Sequence, residues 1–440
     1  MSVNMRNILL FGLVALLIVL EGTTTMAGLF GGSWNTALGI LNMGLISAIL
    51  ALGVNMQWGY AGLFNVGVVG FVALGGLAPV LIATPPVAAV WTAGGAFRII
   101  VALAFGAAVI AVAIFLNARM RGKAKALAML ALLIAGFFLF RAIFDPAVNL
   151  VEGYQPATHS NIGGLGLPVL MAWPVGGLFA AGAAWIIGKT ALGLRSDYLA
   201  IATLGIAEII IAVMKNEDWL ARGVKNVIGI PRPVPYEVDL QQSAGFVAFA
   251  ERFGSDPVTA STVVVKLLYA ALFVAVLAII MWAAQLALNS PWGRMMRAIR
   301  DNETAAEAMG KDVTRRHLQI FIIGSAICGL AGAMIVTLDS QLTPGTYNPL
   351  RFTFLIWVMV IVGGSGNNWG AILGGFLIWF LWIKVEPWGN QLMQLVTYGM
   401  ADGALKTHLL DSAAHMRLLT MGLVLLLVLR FSPRGLIPEK

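Results

Sequence analysis

Four histidines, one cysteine and twenty acidic residues are the groups from which this 440-residue chain could build a metal site, a nucleophile or a proton relay. His159, His317, His408 and His415 have no ligand spacing, so no metal is expected. Cys328 lies in an apolar run between Ile327 and Gly329 and reads as a buried packing thiol. No nucleophile stands beside a base, so the chain is not expected to be an enzyme. Ala183 to Thr190, with Gly188-Lys189-Thr190, satisfies the loosest phosphate-loop pattern. That loop needs glycine-rich backbone between a strand and a helix, so that its amides converge on phosphate. Here Trp185, Ile186 and Ile187 end an apolar helix and Lys189 is a snorkelling flank, so no nucleotide or other cofactor is expected in this chain.

Glu208 is the acid most clearly inside an apolar run, Ala200-Ile-Ala-Thr-Leu-Gly-Ile-Ala-Glu-Ile-Ile. Counted from Asp197, it lies roughly 16 Å along a helix crossing a ~30 Å hydrocarbon core. A carboxylate at that depth is costly, which leaves two readings: a functional group on a transport path, or a packing carboxyl held by Thr or backbone. Two stretches break apolar runs with glycine and amide side chains. One is Asn55-Met-Gln-Trp-Gly-Tyr-Ala-Gly-Leu-Phe-Asn65-Val-Gly67, the other Gly363-Gly-Ser-Gly-Asn-Asn-Trp-Gly370. Freed backbone groups cost several kcal/mol each in hydrocarbon unless protein or water satisfies them. Each stretch reads either as a broken helix lining a substrate path or as a turn between helices, the turn being preferred for the second.

The elements that must position these groups are transmembrane helices. Of the residues, 59% are hydrophobic and 11% charged, against about 25% charged in soluble domains. Soluble enzymes, secreted disulfide scaffolds and disordered proteins are excluded. Apolar segments fall at 8–29, 36–57, 66–84, 87–116, 125–144, 168–188, 197–214, 262–288, 317–338, 353–363, 369–384 and 416–432. The fold class is therefore all-α, a polytopic membrane protein with ten to twelve spans, some short or broken. The first segment also resembles a signal peptide, with Arg6, an apolar run and small residues near Ala27. Basic residues collect at 117–125, at 289–316 and in the tail, whereas 145–166 holds Asp145 and Glu152 and no Lys or Arg. The positive-inside rule then places both termini in the cytoplasm, with 145–166, 215–260 and 385–415 outside. The net charge of +8 speaks first about this orientation and gives no sign of nucleic-acid binding.

Residues 291–300 read as a basic amphipathic helix, with Arg294, Arg297 and Arg300 spaced by three. A short helix follows over 302–309, capped by Asn302 or Asp301 and stopped by Gly310. On physics alone this is either a linker lying on the bilayer surface or a helix that docks into a groove of a soluble partner.

The segment Arg297-Ala-Ile-Arg-Asp-Asn-Glu-Thr-Ala-Ala-Glu-Ala-Met-Gly310 resembles the Glu-Ala-Ala coupling loop of ATP-binding-cassette (ABC) importer permeases. With Gly59-Tyr-Ala-Gly-Leu-Phe-Asn-Val-Gly67, Leu194 to Ile210, Gly229-Ile-Pro-Arg-Pro, Val362 to Gly374 and Arg430-Phe-Ser-Pro-Arg-Gly-Leu-Ile-Pro, the chain resembles the LivM-type permeases of branched-chain amino acid importers. The resemblance spans residues 59–438. It implies the ABC importer permease fold as a single transmembrane domain over 1–440, with N-terminal spans at about 8–144, a core at about 168–432 and a cytoplasmic coupling loop at 289–316. It implies a bacterial inner-membrane subunit that works with a second, LivH-type permease, two ATPase subunits that bind the ATP, and an external solute-binding protein. Arg297, Arg300, Glu303, Ala306 and Gly310 would form the coupling helix, and Phe64, Asn65 and Glu208 would lie along or near the path. The chain departs from the family pattern at Asp218 to Val227 and at Thr343-Pro-Gly-Thr-Tyr-Asn-Pro-Leu-Arg351, both in external stretches, so the solute could be leucine, isoleucine and valine or instead urea, a short amide or another small solute. The competing class is an ion-coupled secondary transporter with Glu208 as coupling group, although such proteins usually carry more intramembrane acids.

Overall fold

The computed structural model describes residues 3–25, 30–155 and 160–439, so Ala27 and His159 lie outside the described residues. Each of the twelve apolar segments holds a helix among its described residues. They form α1 (Val3–Thr23), α2 (Trp34–Ala61), α3 (Val68–Ala83), α4 (Gly95–Arg119), α5 (Gly122–Glu152) and α6 (Ala172–Ala191). Then come α7 (Ser196–Asn216) and α8 (Pro257–Asn289), followed by α9 (Pro291–Asp301) and α10 (Glu303–Ala308), the two helices of the charged loop. The rest are α11 (Val313–Asp339), α12 (Leu355–Gly363), α13 (Asn368–Val396) and α14 (Met416–Phe431). Ten helices are long and apolar enough to cross a membrane among the described residues, and α3 and the 350–363 segment are shorter.

Several boundaries differ from the sequence expectation. The segment 87–116 divides at Gly94, whose φ of +76° ends a short helix at 88–92 before α4 begins. Helix α5 runs on to Glu152 through Pro146, and α13 to Val396 through Pro387, so parts of two stretches expected as external loop are helical. Neither proline stops its helix, as bundle neighbours in membranes allow. In the first glycine-rich stretch, Asn55 to Ala61 belong to α2 and only 62–67 leave the helix, with Gly62 at φ +70° closing it.

The main core cluster draws on α2, α3, α6, α7, α8, α11, α12 and α13. Small residues let three of these helices touch. A Cβ on Gly75 of α3 would lie 1.8 Å from the Gly329 carbonyl of α11, and one on Gly329 would lie 2.4 Å from Ala180 of α6. Cys328 is buried beside this contact, as expected of a packing thiol. Helices α4 and α5 pack mainly on each other and join the bundle at one end, where Val90, Ile99, Val151 and Trp219 cluster. Elsewhere their large apolar side chains, such as Ile114 and Phe137, are exposed, which suits lipid. At that same end of the molecule β1 (Val227–Ile228) pairs antiparallel with β2 (Gln341–Leu342).

Candidate functional site

The two glycine-rich breaks, far apart in sequence, meet. Asn55 on α2 donates from Nδ2 to Asn368 Oδ1 at 3.1 Å and accepts at Oδ1 from the Gly366 amide at 2.9 Å. The second break is the tight turn expected, closed between α12 and α13. The first is an extended segment tied both to itself and to neighbouring helices. Gln57 Nε2 donates to the Phe321 carbonyl and to Ser325 Oγ of α11, each at 3.0 Å, while its Oε1 accepts from Asn65 Nδ2 at 2.9 Å. Asn65 Oδ1 in turn accepts from the Gly67 amide at 2.9 Å, and its carbonyl accepts from Trp357 Nε1 of α12 at 3.1 Å. The Val66 amide donates to Thr203 Oγ1 of α7 at 3.2 Å, and the Val69 amide to Thr353 Oγ1 at 3.1 Å. The unwound segment is thus held by side chains of α2, α7 and α12.

Phe64 is half-buried in an aromatic group, its ring centroid 4.9 Å from Trp357 and 5.5 Å from Trp58. Asn65 is 1% exposed. Of the three residues expected along a path, these two share the extended segment, and Glu208 stands on the helix against which it docks. Helix α7 buries Leu199, Thr203, Ala207 and Ile211 and leaves Ile201, Gly205, Glu208 and Ala212 on its uncovered face. Glu208 sits about 18 Å from the start of that helix, near its middle. Among the described residues it has no ion-pair partner within reach. A charge on such a face costs about 2.5–3.5 kcal/mol against lipid, so water or another protein surface suits it better.

The charged loop forms two helices as expected. Helix α9 buries Gly293, Met296 and Ile299; Arg294 is exposed and Arg297 half-buried. Asn302 is the cap of α10, accepting at Oδ1 from the Ala305 amide at 3.0 Å, and Gly310 ends the turn at φ +75°. Glu303 and Gly310 are exposed and Ala306 is buried. Arg300 points inward. Its Nη1 donates to the Gly59 carbonyl of α2 at 2.5 Å and to Glu439 Oε2 at 2.8 Å, and its Nε to Asp301 Oδ1 at 3.1 Å. Burial works against its charge, but the bonds to Glu439 and Asp301 outweigh it and hold the guanidinium pKa above its usual value. A cleft of about 800 Å³ beside it is lined by Arg294, Arg297, Arg300, Ser365, Arg434 and Glu439. A second cleft, about 690 Å³, opens at the far end between Thr84, Tyr154, Asn161 and Arg222, and none of Phe64, Asn65 or Glu208 lines it.

The structure adds residues that sequence reasoning missed. Thr203 and Trp357 hold the extended segment and Thr353 the first turn of α3, and their types gave no sign of it. Lys384 of α13 donates from Nζ to Glu21 Oε2 of α1 at 2.7 Å, with both side chains buried. Two lone opposite charges in separate apolar runs were the available signal. Residues 183–190 lie within α6, where Lys189 sits over the Trp185 ring at 4.3 Å. No group of three metal-binding side chains occurs among the described residues.

The family model described as the branched-chain amino acid transport system / permease component matches residues 149–429. The high-affinity branched-chain amino acid transport system permease protein LivM of Escherichia coli is 30% identical over 252 residues, 56% of this chain and 56% of its own length. The probable branched-chain amino acid transport permease protein LivM of Methanocaldococcus jannaschii is 26% identical over 393 residues, 89% of this chain and 90% of its own. The same archaeon's probable LivH permease is 30% identical over 90 residues, 20% of this chain and 28% of its own. The matched region thus covers little more than half the length of the E. coli relative. No solved structure matches the chain.

Proposed function

This chain belongs to the permease-component family of branched-chain amino acid transport systems, and from that membership we propose that it is the LivM-type subunit of an ATP-driven importer for branched-chain amino acids. It forms the path with a second, LivH-type permease. ATP is bound and hydrolysed by two separate ATPase subunits that dock on α9 and α10, and an external binding protein delivers the solute. The chain itself performs no catalysis and binds no cofactor. It is a multi-pass protein of the cytoplasmic membrane with both termini inside, so that the 117–125 and 289–316 loops and the tail carry their positive charge on the cytoplasmic side.

The observation that carries the reading is the uncovered face of α7. One side of that helix holds the extended segment 62–67 through Thr203. The opposite side presents Glu208 between Gly205 and Ala212 with nothing on it. A second permease facing that side completes a path with polar groups at mid-depth, and removes the carboxylate from lipid. Small residues there allow close approach of another helix.

The test is affinity purification of the chain from native membrane in mild detergent, with identification of the co-purifying proteins. A second permease and two ATPases are expected. A chain that purifies alone and transports under an ion gradient without ATP would replace this reading with the ion-coupled one and make Glu208 its coupling group.

A further inference from the structure

We infer that Arg300 and Glu439 form a latch through which the tail after α14 clamps helix α9 to the carboxyl end of α2, so that movement of the coupling helices reaches the extended segment 62–67 directly. This rests on the transport reading above and concerns how its two halves are joined. Four separate stretches of chain converge on one guanidinium. The last turn of α2 leaves carbonyls without helical partners, and Arg300 Nη1 satisfies that of Gly59, only three residues before the helix gives way to the extended segment. The same Nη1 holds Glu439. The turn after α12 fills the remaining side. A Cβ on Gly59 would come within 2.4 Å of the Gly366 amide, and one on Gly366 within 2.7 Å of Glu439 Oε2. Nothing but glycine fits there, which makes the junction close-packed.

The tail is held as a strap rather than as a loose end. The Leu436 and Ile437 amides donate to the Val362 and Gly363 carbonyls, each at 2.9 Å. Asn367 Nδ2 donates to the Pro438 carbonyl at 3.1 Å, and Ile437 is 1% exposed. The strap therefore ties α12, α13 and α9 together at the end where the coupling helices lie. Because the cleft flanking the pair also carries Arg294, Arg297 and Arg434, loss of the Glu439 carboxylate leaves four arginines facing one another with Asp301 as the remaining acid on the cleft.

Arg300 and Glu439 are positioning residues, so the test needs a readout that a merely structural contact would not move. Two readouts serve, taken on the purified assembly in proteoliposomes and on the chain in detergent. The first is the ratio of solute taken up to ATP hydrolysed. Glu439→Gln is expected to lower that ratio about fivefold while ATPase activity and assembly persist. Adding Arg300→Lys to Glu439→Gln should lower the ratio no further, since both remove the same joint. The second is amide hydrogen exchange, in which Glu439→Gln should speed exchange at Leu436 and Ile437. A lowered melting temperature with an unchanged ratio would overturn the latch and leave a structural contact. Unchanged exchange at 436 and 437 would overturn it as well. A wild-type assembly with no ATP-dependent uptake would instead overturn the importer reading itself, and the latch's role with it.

Discussion

Replacing Gln57 with Leu tests whether the polar network holds the extended segment. The side chain makes three buried hydrogen bonds, two to α11 and one from Asn65. Interhelical hydrogen bonds in membrane proteins average about 0.6 kcal/mol, so losing three removes about 2 kcal/mol. The change also leaves Asn65 Nδ2 buried without its acceptor, which adds about 1–3 kcal/mol. The expected loss is therefore about 3–5 kcal/mol. Ser325→Ala removes only one of the three bonds and should cost about 0.6 kcal/mol, at most about 1.7. Titration with SDS in mixed micelles, followed by fluorescence of the 13 tryptophans, measures both. Uptake should fall in Gln57→Leu more than in Ser325→Ala, because Asn65 also orders the Gly67 amide. If Gln57→Leu costs no more than Ser325→Ala, the network does not set the geometry of 62–67.

Three further outcomes are expected. Removing one member of the buried Glu21–Lys384 pair, as in Lys384→Met, should cost about 3–5 kcal/mol, whereas Glu21→Leu with Lys384→Met together should fall within about 1.5 of wild type; additive losses in the same SDS titration would show the pair to be uncoupled. Glu208→Gln should reduce uptake with the melting temperature unchanged, and a shift in melting temperature alone would make the carboxyl a packing group. Gly75→Leu should abolish monodisperse protein in gel filtration, because its Cβ already meets the Gly329 backbone, while Gly205→Leu, with open space around it, should fold normally. Equal behaviour of those two variants would contradict the helix packing described.

The sequence made the spans legible because most are long apolar runs, and the two helices of the charged loop because Asn302 and Gly310 punctuate them. It was less informative about where helices end inside the bundle. The charge pattern placed 145–166 and 385–415 as external stretches, yet α5 continues through Pro146 to Glu152 and α13 through Pro387 to Val396. Asn55 and Gln57 marked a break in the apolar pattern, but they are helical, and their polarity serves the segment that follows and the turn at 364–367. Arg300 had a spacing that grouped it with Arg294 and Arg297 as a docking charge. Its inward direction depends on Gly59 and Glu439, which lie 241 and 139 residues away, and no local pattern carries that. The pairing of Glu21 with Lys384 was hidden for the same reason, at a separation of 363 residues.

The proposed inward transport of a branched-chain amino acid, driven by ATP hydrolysed in partner subunits, can be tested directly. The direct measurement is uptake of labelled leucine by proteoliposomes holding the purified assembly, with the binding protein outside and ATP inside. Uptake that requires ATP and the binding protein, and is indifferent to an uncoupler at fixed ATP, is the predicted result. Uptake that proceeds without ATP and collapses with the ion gradient would contradict it.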